Sequence, residues 1–193
     1  GVLVSNEISS KRAKILVENM ERFGATNVVV TNESADRLAK IFKGYFDVIV
    51  LDAPCSGEGM FRKQPDAVDY WSTDYPSQCA SLQREILEDA VTMLAEGGRL
   101  VYSTCTWAPE ENEEIVHWLL DTYEFELLPV EHVNGMVAGI DLPETSRMYP
   151  HHFKGEGQFV AHLQFKGQNP APKFKASKSN LSREQLALWH DFA

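Results

Sequence analysis

The sequence predicts an α/β domain with a mostly parallel sheet, helices on both faces and an antiparallel edge. Short apolar runs rich in β-branched residues alternate with longer segments whose apolar residues recur at helical spacing. The last two predicted strands have little helix between them, which favours an antiparallel pair at one edge. With 193 residues, 44% of them hydrophobic, the chain is long enough to bury one core.

The first half of the chain alternates three predicted strands with two predicted helices. In chain order these are a strand at 2–4, a helix from Ser9 or Ser10 to Phe23, a strand at 27–31, a short helix from Ser34 or Asp36 to Phe42, and a strand at 46–52. Leu16, Met20 and Phe23 share one face of the first helix and predict its core contacts, and Gly24 is typical of a helix end. The strand at 46–52 is apolar enough to be buried on both faces.

The second half begins with a long polar stretch at 53–76, and a loop of this length in a compact domain is usually functional or disordered. The elements after it are a helix over 79–94 closed by Gly97 and Gly98, a strand at 99–103, a helix from Pro109 to about Tyr123, a strand at 125–129, an irregular stretch at 130–158 and a final strand at 158–165. Cys79, Leu82 and Ile86 lie on the apolar face of the first of these helices, so we expect Cys79 in the core.

Composition and charge limit the classes of function. The net charge is −10, from 18 Lys and Arg against 28 Asp and Glu, which argues against a general nucleic-acid coat but allows RNA at one local basic patch. Three cysteines at scattered spacing give no disulfide framework. No signal-peptide pattern is visible, and no apolar run approaches the roughly 18 residues of a membrane span. We therefore expect a soluble, cytoplasmic protein with no membrane partner.

Two cysteines lie in polar turns that directly follow predicted strands. Cys55 belongs to the turn Asp-Ala-Pro-Cys-Ser-Gly-Glu-Gly at 52–59, and Cys105 belongs to Ser-Thr-Cys-Thr at 103–106. Ligands and chemistry collect at the carboxyl ends of parallel strands, so the two thiols could share one cleft and act in covalent catalysis. Asp52 could hydrogen-bond a heterocycle there, and the helix start after Cys105 favours a lowered thiol pKa.

Other polar residues are weaker candidates. Glu7 follows the first strand and suits the two hydroxyls of a ribose, although a charge at the start of the next helix explains it equally simply. The segment Phe61, Arg62 and Lys63 sets an aromatic ring beside two cations, which could stack a base and hold phosphate, or could be a solvated loop. The histidine pair at 151–152 has no Cys or acidic residue at ligand spacing, so we expect no metal.

The paired cysteine motifs resemble those of the Sun-type RNA cytosine-5 methyltransferases. The acidic helix start at 110–114, the segment Met-Phe-Arg-Lys at 60–63 and the segment 149–159 are similar to the bacterial 16S ribosomal RNA branch of that family. The resemblance covers about residues 1–166. It implies a Rossmann-like fold that uses S-adenosylmethionine, with a glycine-rich cofactor loop and a catalytic lysine that would precede Gly1.

The resemblance also implies roles for the residues of the two turns. Cys105 would be the nucleophile that adds to C6 of cytosine, and Cys55 would assist breakdown of the covalent adduct. Asp52 would bind and activate the pyrimidine ring. The partner would be RNA, in particular ribosomal RNA, contacted through Phe61, Arg62 and Lys63.

S-adenosylmethionine is the cofactor that the resemblance implies. Its contacts would come from Glu7, Ser34, Asp52 and Pro54, with Glu7 on the ribose and the adenine near 32–34. By this division, residues 1–166 are a partial catalytic domain that is truncated at its N-terminus. Residues 167–180 form a linker rich in Pro, Lys and Ser, and residues 181–193 begin a truncated C-terminal domain. We expect this piece alone to bind the cofactor weakly and not to turn over.

Three alternatives remain open from the residues. A non-catalytic RNA- or protein-binding Rossmann-like module would keep its cysteines for structure, and Cys105→Ala would then leave the activity of the full-length protein unchanged. A thiol hydrolase would need a base beside Cys105, but His117 is expected to face solvent. DNA cytosine methylation needs only the cysteine equivalent to Cys55, so the presence of both cysteines favours RNA.

Overall fold

The protein is described by a computed structural model that covers residues 1–152, 154–170 and 182–192. The strands are β1 (Leu3–Asn6), β2 (Val28–Thr31), β3 (Phe46–Asp52), β4 (Leu94–Thr104), β5 (Phe125–Leu128), β6 (Val137–Ala138), β7 (Ser146–Met148) and β8 (Gln158–Phe165). The helices are α1 (Ser10–Arg22), α2 (Ala35–Ile41), α3 (Tyr75–Met93), α4 (Glu113–Thr122) and α5 (Arg183–Phe192), with short 3-10 turns at Glu58–Met60, Pro65–Tyr70 and Pro109–Glu111.

The main sheet has the strand order β3-β4-β8-β7-β6, and β5 pairs with β8 as well. β3 and β4 are parallel, whereas β8 is antiparallel to β4, β5 and β7. β3, β4 and β5 therefore run in one direction, which confirms the predicted α/β fold with a parallel and an antiparallel part. β8 lies inside the antiparallel part rather than at its edge, because β5 and β7 cover its far side.

A separate two-stranded parallel sheet is formed by β1 and β2, with Leu3 opposite Val28.

Two expectations about burial in the first half of the chain are wrong. Phe23, predicted in the core face of α1, is 83% exposed. β3, predicted to be buried on both faces, packs only Ile49 and Leu51 of its opposite face against the core and leaves Val48 and Val50 44% and 70% exposed.

The core lies where α3 and α4 meet β4 and β8. β8 buries every second side chain, as an amphipathic strand does. The cluster contains Leu87, Val91, Leu94, Leu100, Tyr102, Ile115, Val116, Leu119, Phe159, Ala161, Leu163 and Phe165. Cys79 is buried, as predicted, but Leu82 is 45% exposed because the inner face of α3 turns towards Gln83 and Leu87 instead.

Several element boundaries differ from the prediction. α3 ends at Met93 and β4 begins at once, so Gly97, with φ +73°, lies in an irregular part of β4 and does not close the helix. The helix predicted from Pro109 breaks at Asn112, whose side chain accepts a hydrogen bond from Thr104 and donates one to the carbonyl of Thr106. The stretch predicted to be irregular contains β6 and β7.

The C-terminal part is described only in pieces. The predicted linker is described up to Pro170, where Asn169 donates hydrogen bonds to the carbonyls of Val91 and Leu94. Residues 171–181 lie outside the described residues, so most of the linker prediction falls there. α5 agrees with the predicted helix near the end of the chain. No helix within the described ranges is long and apolar enough to cross a membrane.

Candidate active site

The two thiols meet where β3 and β4 end. These strands are parallel neighbours with Asp52 opposite Ser103, so the turns that follow them lie side by side. The Sγ atoms of Cys55 and Cys105 are 3.1 Å apart, and the backbone N–H of Cys105 points at Cys55 Sγ at 3.3 Å. Both cysteines are free and half-buried. The predicted meeting of the two thiols is confirmed.

The hydrogen bond between the two thiols shifts their pKa values in opposite directions. A hydrogen bond from the Cys55 thiol lowers the pKa of Cys105, and this outweighs the burial and the Asp52 charge that oppose it. The pKa of Cys55 is raised, chiefly by its hydrogen bond to Cys105 and then by burial. The predicted direction for Cys105 is confirmed, but its main cause is the neighbouring thiol and not the helix that follows.

Hydrogen bonds tie the Cys55 turn to the Cys105 turn. They join Ala53 N to Ser103 O (2.9 Å), Gly59 N to Cys105 O (2.9 Å), Ser56 Oγ to Thr106 Oγ1 (2.8 Å), and Thr106 Oγ1 and Trp107 N to Glu58 Oε2 (3.2 and 3.3 Å). Gly59 allows the closest approach, because a Cβ there would lie 2.5 Å from Gly157 O and 2.8 Å from Cys105 O. The two turns are therefore held side by side by several links.

A buried polar network lies behind the Cys55 turn, and sequence reasoning missed it. The Glu111 carboxylate is fully buried and accepts hydrogen bonds from Ser56 N (3.0 Å) and Gln83 Nε2 (2.8 Å). The Tyr102 hydroxyl donates to the backbone carbonyl of Glu111 at 2.6 Å. Burial raises the pKa of Glu111, and the hydrogen bonds from Ser56 and Gln83 oppose that rise. The sequence signal was present, but the acidic run after Pro109 is typical of a solvated helix start.

A second missed group is the buried ion pair of Arg147 and Glu113. Arg147 Nε donates to Glu113 Oε1 at 2.6 Å, and its Nη1 donates to the carbonyl of Trp107 at 2.9 Å. Both side chains are almost fully buried. The pair joins β7 and α4 to the loop that carries Cys105. Arg147 lies in the stretch predicted to be irregular, and no sequence pattern marked it.

Asp52 and Pro54, predicted as ligand contacts, are exposed at the carboxyl end of β3. The Asp52 carboxylate is close enough to Cys105 for its charge to raise the pKa of that thiol. Pro54 holds its backbone carbonyl inward, where it accepts a hydrogen bond from Gln83 at 2.9 Å. Whether either side chain contacts a ligand stays a prediction.

Glu7 and Ser34 lie together at the carboxyl ends of β1 and β2. Glu7 Oε1 accepts hydrogen bonds from Ser9 N (2.7 Å) and Arg12 Nη2 (2.8 Å), and the Ser9 bond is the main reason its pKa is lowered. Glu7 thus serves the start of α1, as the simpler interpretation predicted. Its Oε2 accepts no hydrogen bond within the described residues. Ser34 Oγ donates to Asp36 at 2.5 Å.

The predicted RNA-contacting segment lies on the rim of the site. Arg62, 61% exposed, donates to the carbonyl of Gly155 and to Glu156, so this guanidinium already holds the segment before β8. Phe61 is half-buried and Lys63 is exposed. Described His, Cys, Asp and Glu side chains form no group of three or more able to hold a metal ion.

The chain is similar to known ribosomal RNA methyltransferases. The family model described as 16S rRNA methyltransferase RsmB/F matches residues 1–164. Ribosomal RNA small subunit methyltransferase F of Escherichia fergusonii is 40% identical over 185 residues, which are 91% of this chain and 38% of that protein. The Shewanella loihica protein of the same name is 41% identical over 167 residues, covering 84% of this chain and 34% of that protein.

Solved structures give the same result. NSun6 from Pyrococcus horikoshii with SFG superposes with a TM-score of 0.75 at 30% identity, covering 87% of this chain and 42% of that one. A methyltransferase homolog protein from the same organism gives a TM-score of 0.72 at 30% identity, covering 86% and 53%. The fold and the paired-thiol site define a Rossmann-like methyltransferase domain. Within that class, the chain belongs to the 16S rRNA methyltransferase RsmB/F family.

Proposed function

We propose that the full-length protein transfers a methyl group to C5 of a cytosine in RNA, through a covalent adduct between Cys105 and C6. The single observation that supports this most is the 3.1 Å approach of Cys105 to Cys55, which lowers the pKa of Cys105. The thiolate is the nucleophilic form of cysteine, so the pair prepares Cys105 for attack.

Covalent addition is needed because cytosine C5 is a poor nucleophile. When the Cys105 thiolate forms a bond to C6, the electron pair of the C5–C6 double bond shifts to the C4–C5 bond and the C4–N3 pair moves to N3, which makes C5 enamine-like. We assign Asp52, which is exposed and near Cys105, to hydrogen-bond the ring nitrogen and amino group and so to stabilise the adduct.

The adduct must then be resolved. Once C5 carries the methyl group, the C5 proton has to leave and the S–C6 bond has to break, which restores the C5–C6 double bond and returns the electron pair to Cys105. Cys55 is the group beside this bond, because its Sγ contacts Cys105 Sγ. We assign Cys55 to the breakdown step.

S-adenosylmethionine is the cofactor of this proposal, and it supplies an electrophilic methyl group when bound. The described residues fit it: Glu7 keeps one carboxylate oxygen for a ribose hydroxyl, and Asp52 and Pro54 are exposed at the end of β3. Ser34 immediately precedes α2, in the connection that follows β2. A second member of the Sun-type group, NSun6, is known with SFG bound.

RNA is the proposed substrate, and the names of the relatives point to small-subunit ribosomal RNA. A base has to leave its stack to reach two half-buried thiols, which favours an unpaired or opened segment. Phe61 and Lys63 are the rim residues that remain most available to stack a base or hold a phosphate, since Arg62 is partly engaged by Glu156. The chain spans 38% of the Escherichia relative, so other parts of the full-length protein would share RNA binding.

The test uses full-length protein with unlabelled cofactor and 16S ribosomal RNA. Cys105→Ala should abolish methylation and adduct formation, because no nucleophile remains. Cys55→Ala should accumulate a denaturant-resistant RNA–protein adduct, because resolution is slowed. Cys79→Ala is the matched control, since this buried thiol lies on α3 outside the pair.

Adducts would be measured on denaturing gels and the modified base by bisulfite-type mapping. Unchanged methylation by Cys105→Ala would exclude Cys105 as the nucleophile and overturn the proposal, whereas RNA binding without methylation by the wild-type protein would favour the non-catalytic module. Adduct that still forms in Cys105→Ala would give the nucleophile role to another residue.

A further inference from the structure

We propose that Glu111, together with Gln83, is a positioning residue that holds Cys55 in place for resolution of the covalent adduct. This inference rests on the proposed function, because it concerns the step assigned to Cys55. It concerns residues that the mechanism above does not use.

The residues on both sides of Cys55 form hydrogen bonds to one buried network of polar side chains. The carbonyl of Pro54 accepts a hydrogen bond from Gln83 Nε2 at 2.9 Å. The N–H of Ser56 donates to Glu111 Oε2 at 3.0 Å and to Oε1 at 3.3 Å. Gln83 Nε2 also donates to Glu111 Oε2 at 2.8 Å, which closes the network. The backbone of Cys55 is therefore held from its N-terminal and its C-terminal side at once.

Packing alone does not explain a carboxylate at this place. Glu111 is 0% exposed, and within the described residues no Lys, Arg or His forms an ion pair with it. Burying an acidic side chain without a cation is unfavourable, and an apolar residue would fill the same volume at lower cost. What the carboxylate adds is acceptor capacity on both oxygens, and this capacity is directed at the Cys55 turn.

The Cys105 turn is held by hydrogen bonds that do not involve the Glu111 side chain. Asn112 accepts a hydrogen bond from Thr104 at 2.6 Å and donates one to the carbonyl of Thr106 at 3.1 Å. The Tyr102 bond to Glu111 uses the backbone carbonyl, so it survives a change of the Glu111 side chain. Loosening the Glu111 carboxylate should therefore displace Cys55 more than Cys105.

Such a selective displacement predicts a specific kinetic defect. A misplacement of about 1 Å can slow a step by about 100-fold. If Cys55 moves and Cys105 does not, the adduct forms a little more slowly, because the hydrogen bond that lowers the Cys105 pKa is weakened, and it breaks down much more slowly. The variant should show the slow adduct breakdown expected of Cys55→Ala in a weaker form. A general loss of folding would not slow this step alone.

The experiment compares Glu111→Gln with Glu114→Gln in the full-length protein, using Cys55→Ala as the reference. Glu114 is the matched control, because it lies on the first turn of α4 and is exposed. In Glu111→Gln one carboxylate oxygen becomes an N–H₂ group, so the Ser56 N–H can no longer be accepted by both atoms and faces a second donor at one of them. Adduct formation and adduct decay would be timed separately in single-turnover reactions with 16S ribosomal RNA.

We expect Glu111→Gln to form the adduct within roughly threefold of the wild-type rate and to resolve it roughly 10- to 100-fold more slowly. Glu114→Gln should match the wild type in both rates. Gln83→Met, which removes the donor to Pro54 at similar volume, should show the same slow decay. If Glu111→Gln does not fold, Gln83→Met alone still tests the positioning role.

The outcomes separate the two proposals. If Cys55→Ala traps no adduct, the proposed function and this inference fail together. If Cys55→Ala traps an adduct but the Glu111 and Gln83 variants resolve it at the wild-type rate, only the positioning role is wrong. Equal losses in formation and decay, with a lowered melting temperature, would show that the network is merely structural and would overturn the inference.

Discussion

At the scale of single residues, the Cys105 thiolate is stabilised by a neighbouring thiol. A thiol that donates a hydrogen bond to a thiolate favours the charged form, and here this effect exceeds desolvation. The same bond raises the pKa of Cys55. The two cysteines are therefore chemically different although their turns look alike in the sequence.

This difference can be measured through the pH dependence of alkylation. Cys55→Ala removes the donor, so the pKa of Cys105 should rise and its alkylation curve should move to higher pH. In the wild type, Cys105 should react with iodoacetamide at lower pH than Cys55. Peptide mass spectrometry across pH would follow each site.

Cys79 serves as the internal control for alkylation. Burial raises its pKa to about 11, so it should stay largely unmodified at neutral pH in both proteins. If the Cys105 curve has the same midpoint with and without Cys55, the thiol pair does not set its pKa.

Local sequence was sufficient to predict some site residues and not others. Cys55 and Cys105 could be found because each follows a strand by a few residues, and adjacent parallel strands bring their carboxyl ends together. Glu111 could not be found, because its burial depends on Gln83, which lies 28 residues earlier on a different helix. Charge patterning assigns an acidic residue after Pro109 to solvent, and only tertiary packing reverses that assignment.

At the scale of elements, the Arg147–Glu113 pair connects β7, α4 and the loop after β4. The guanidinium bonds the carboxylate at 2.6 Å and the carbonyl of Trp107 at 2.9 Å, and both charges are buried. Removing one charge from such a pair leaves the other without compensation. The pair therefore makes three elements depend on each other.

Arg147→Met should destabilise the protein by about 3–5 kcal/mol, because the Glu113 carboxylate remains buried without its cation. The double variant Arg147→Met with Glu113→Gln should recover part of that loss, because the uncompensated charge is removed. Urea unfolding followed by circular dichroism would give the free energies. Arg37→Met, which breaks an exposed pair with Glu33, is the control and should change little. A loss no larger than that of Arg37→Met would show that the buried pair is not needed.

Strands and helices were predicted correctly where the local pattern of apolar residues defines them. They were missed where strand pairing or tertiary hydrogen bonds define them. β3 and β8 have the predicted bounds, because their apolar alternation or run length is visible in the chain. β6 and β7 have two and three residues, so no periodicity can reveal them, and β7 exists because it pairs with β8. The break at Asn112 depends on hydrogen bonds to Thr104 and Thr106, which helix propensity does not contain.

At the scale of the whole molecule, the described residues form two sheets that differ greatly in how many buried side chains pack on them. The β4–β8 region is lined by fully buried side chains such as Leu100, Tyr102 and Phe159. The β1–β2 sheet has two strands, and α1, the helix that contacts β2, buries only Ala13. A two-stranded sheet is marginally stable unless other elements pack on it. The proposed cofactor contacts Glu7 and Ser34 therefore lie on the less stable part of the chain.

Hydrogen exchange in the 193-residue chain should show this inequality directly. Local opening needs less free energy where few apolar side chains are buried, so amides of β1 and β2 should exchange faster than those of β4 and β8, by roughly 100-fold or more. Exchange followed by mass spectrometry would resolve peptides 3–6 and 28–31 from peptides 99–104 and 158–165. α3 supplies the control, because it is anchored by the same core as β4 and should be protected like it. Equal protection in both sheets would mean that the chain opens as a single cooperative unit, and Glu7 and Ser34 would then be held as firmly as the two thiols.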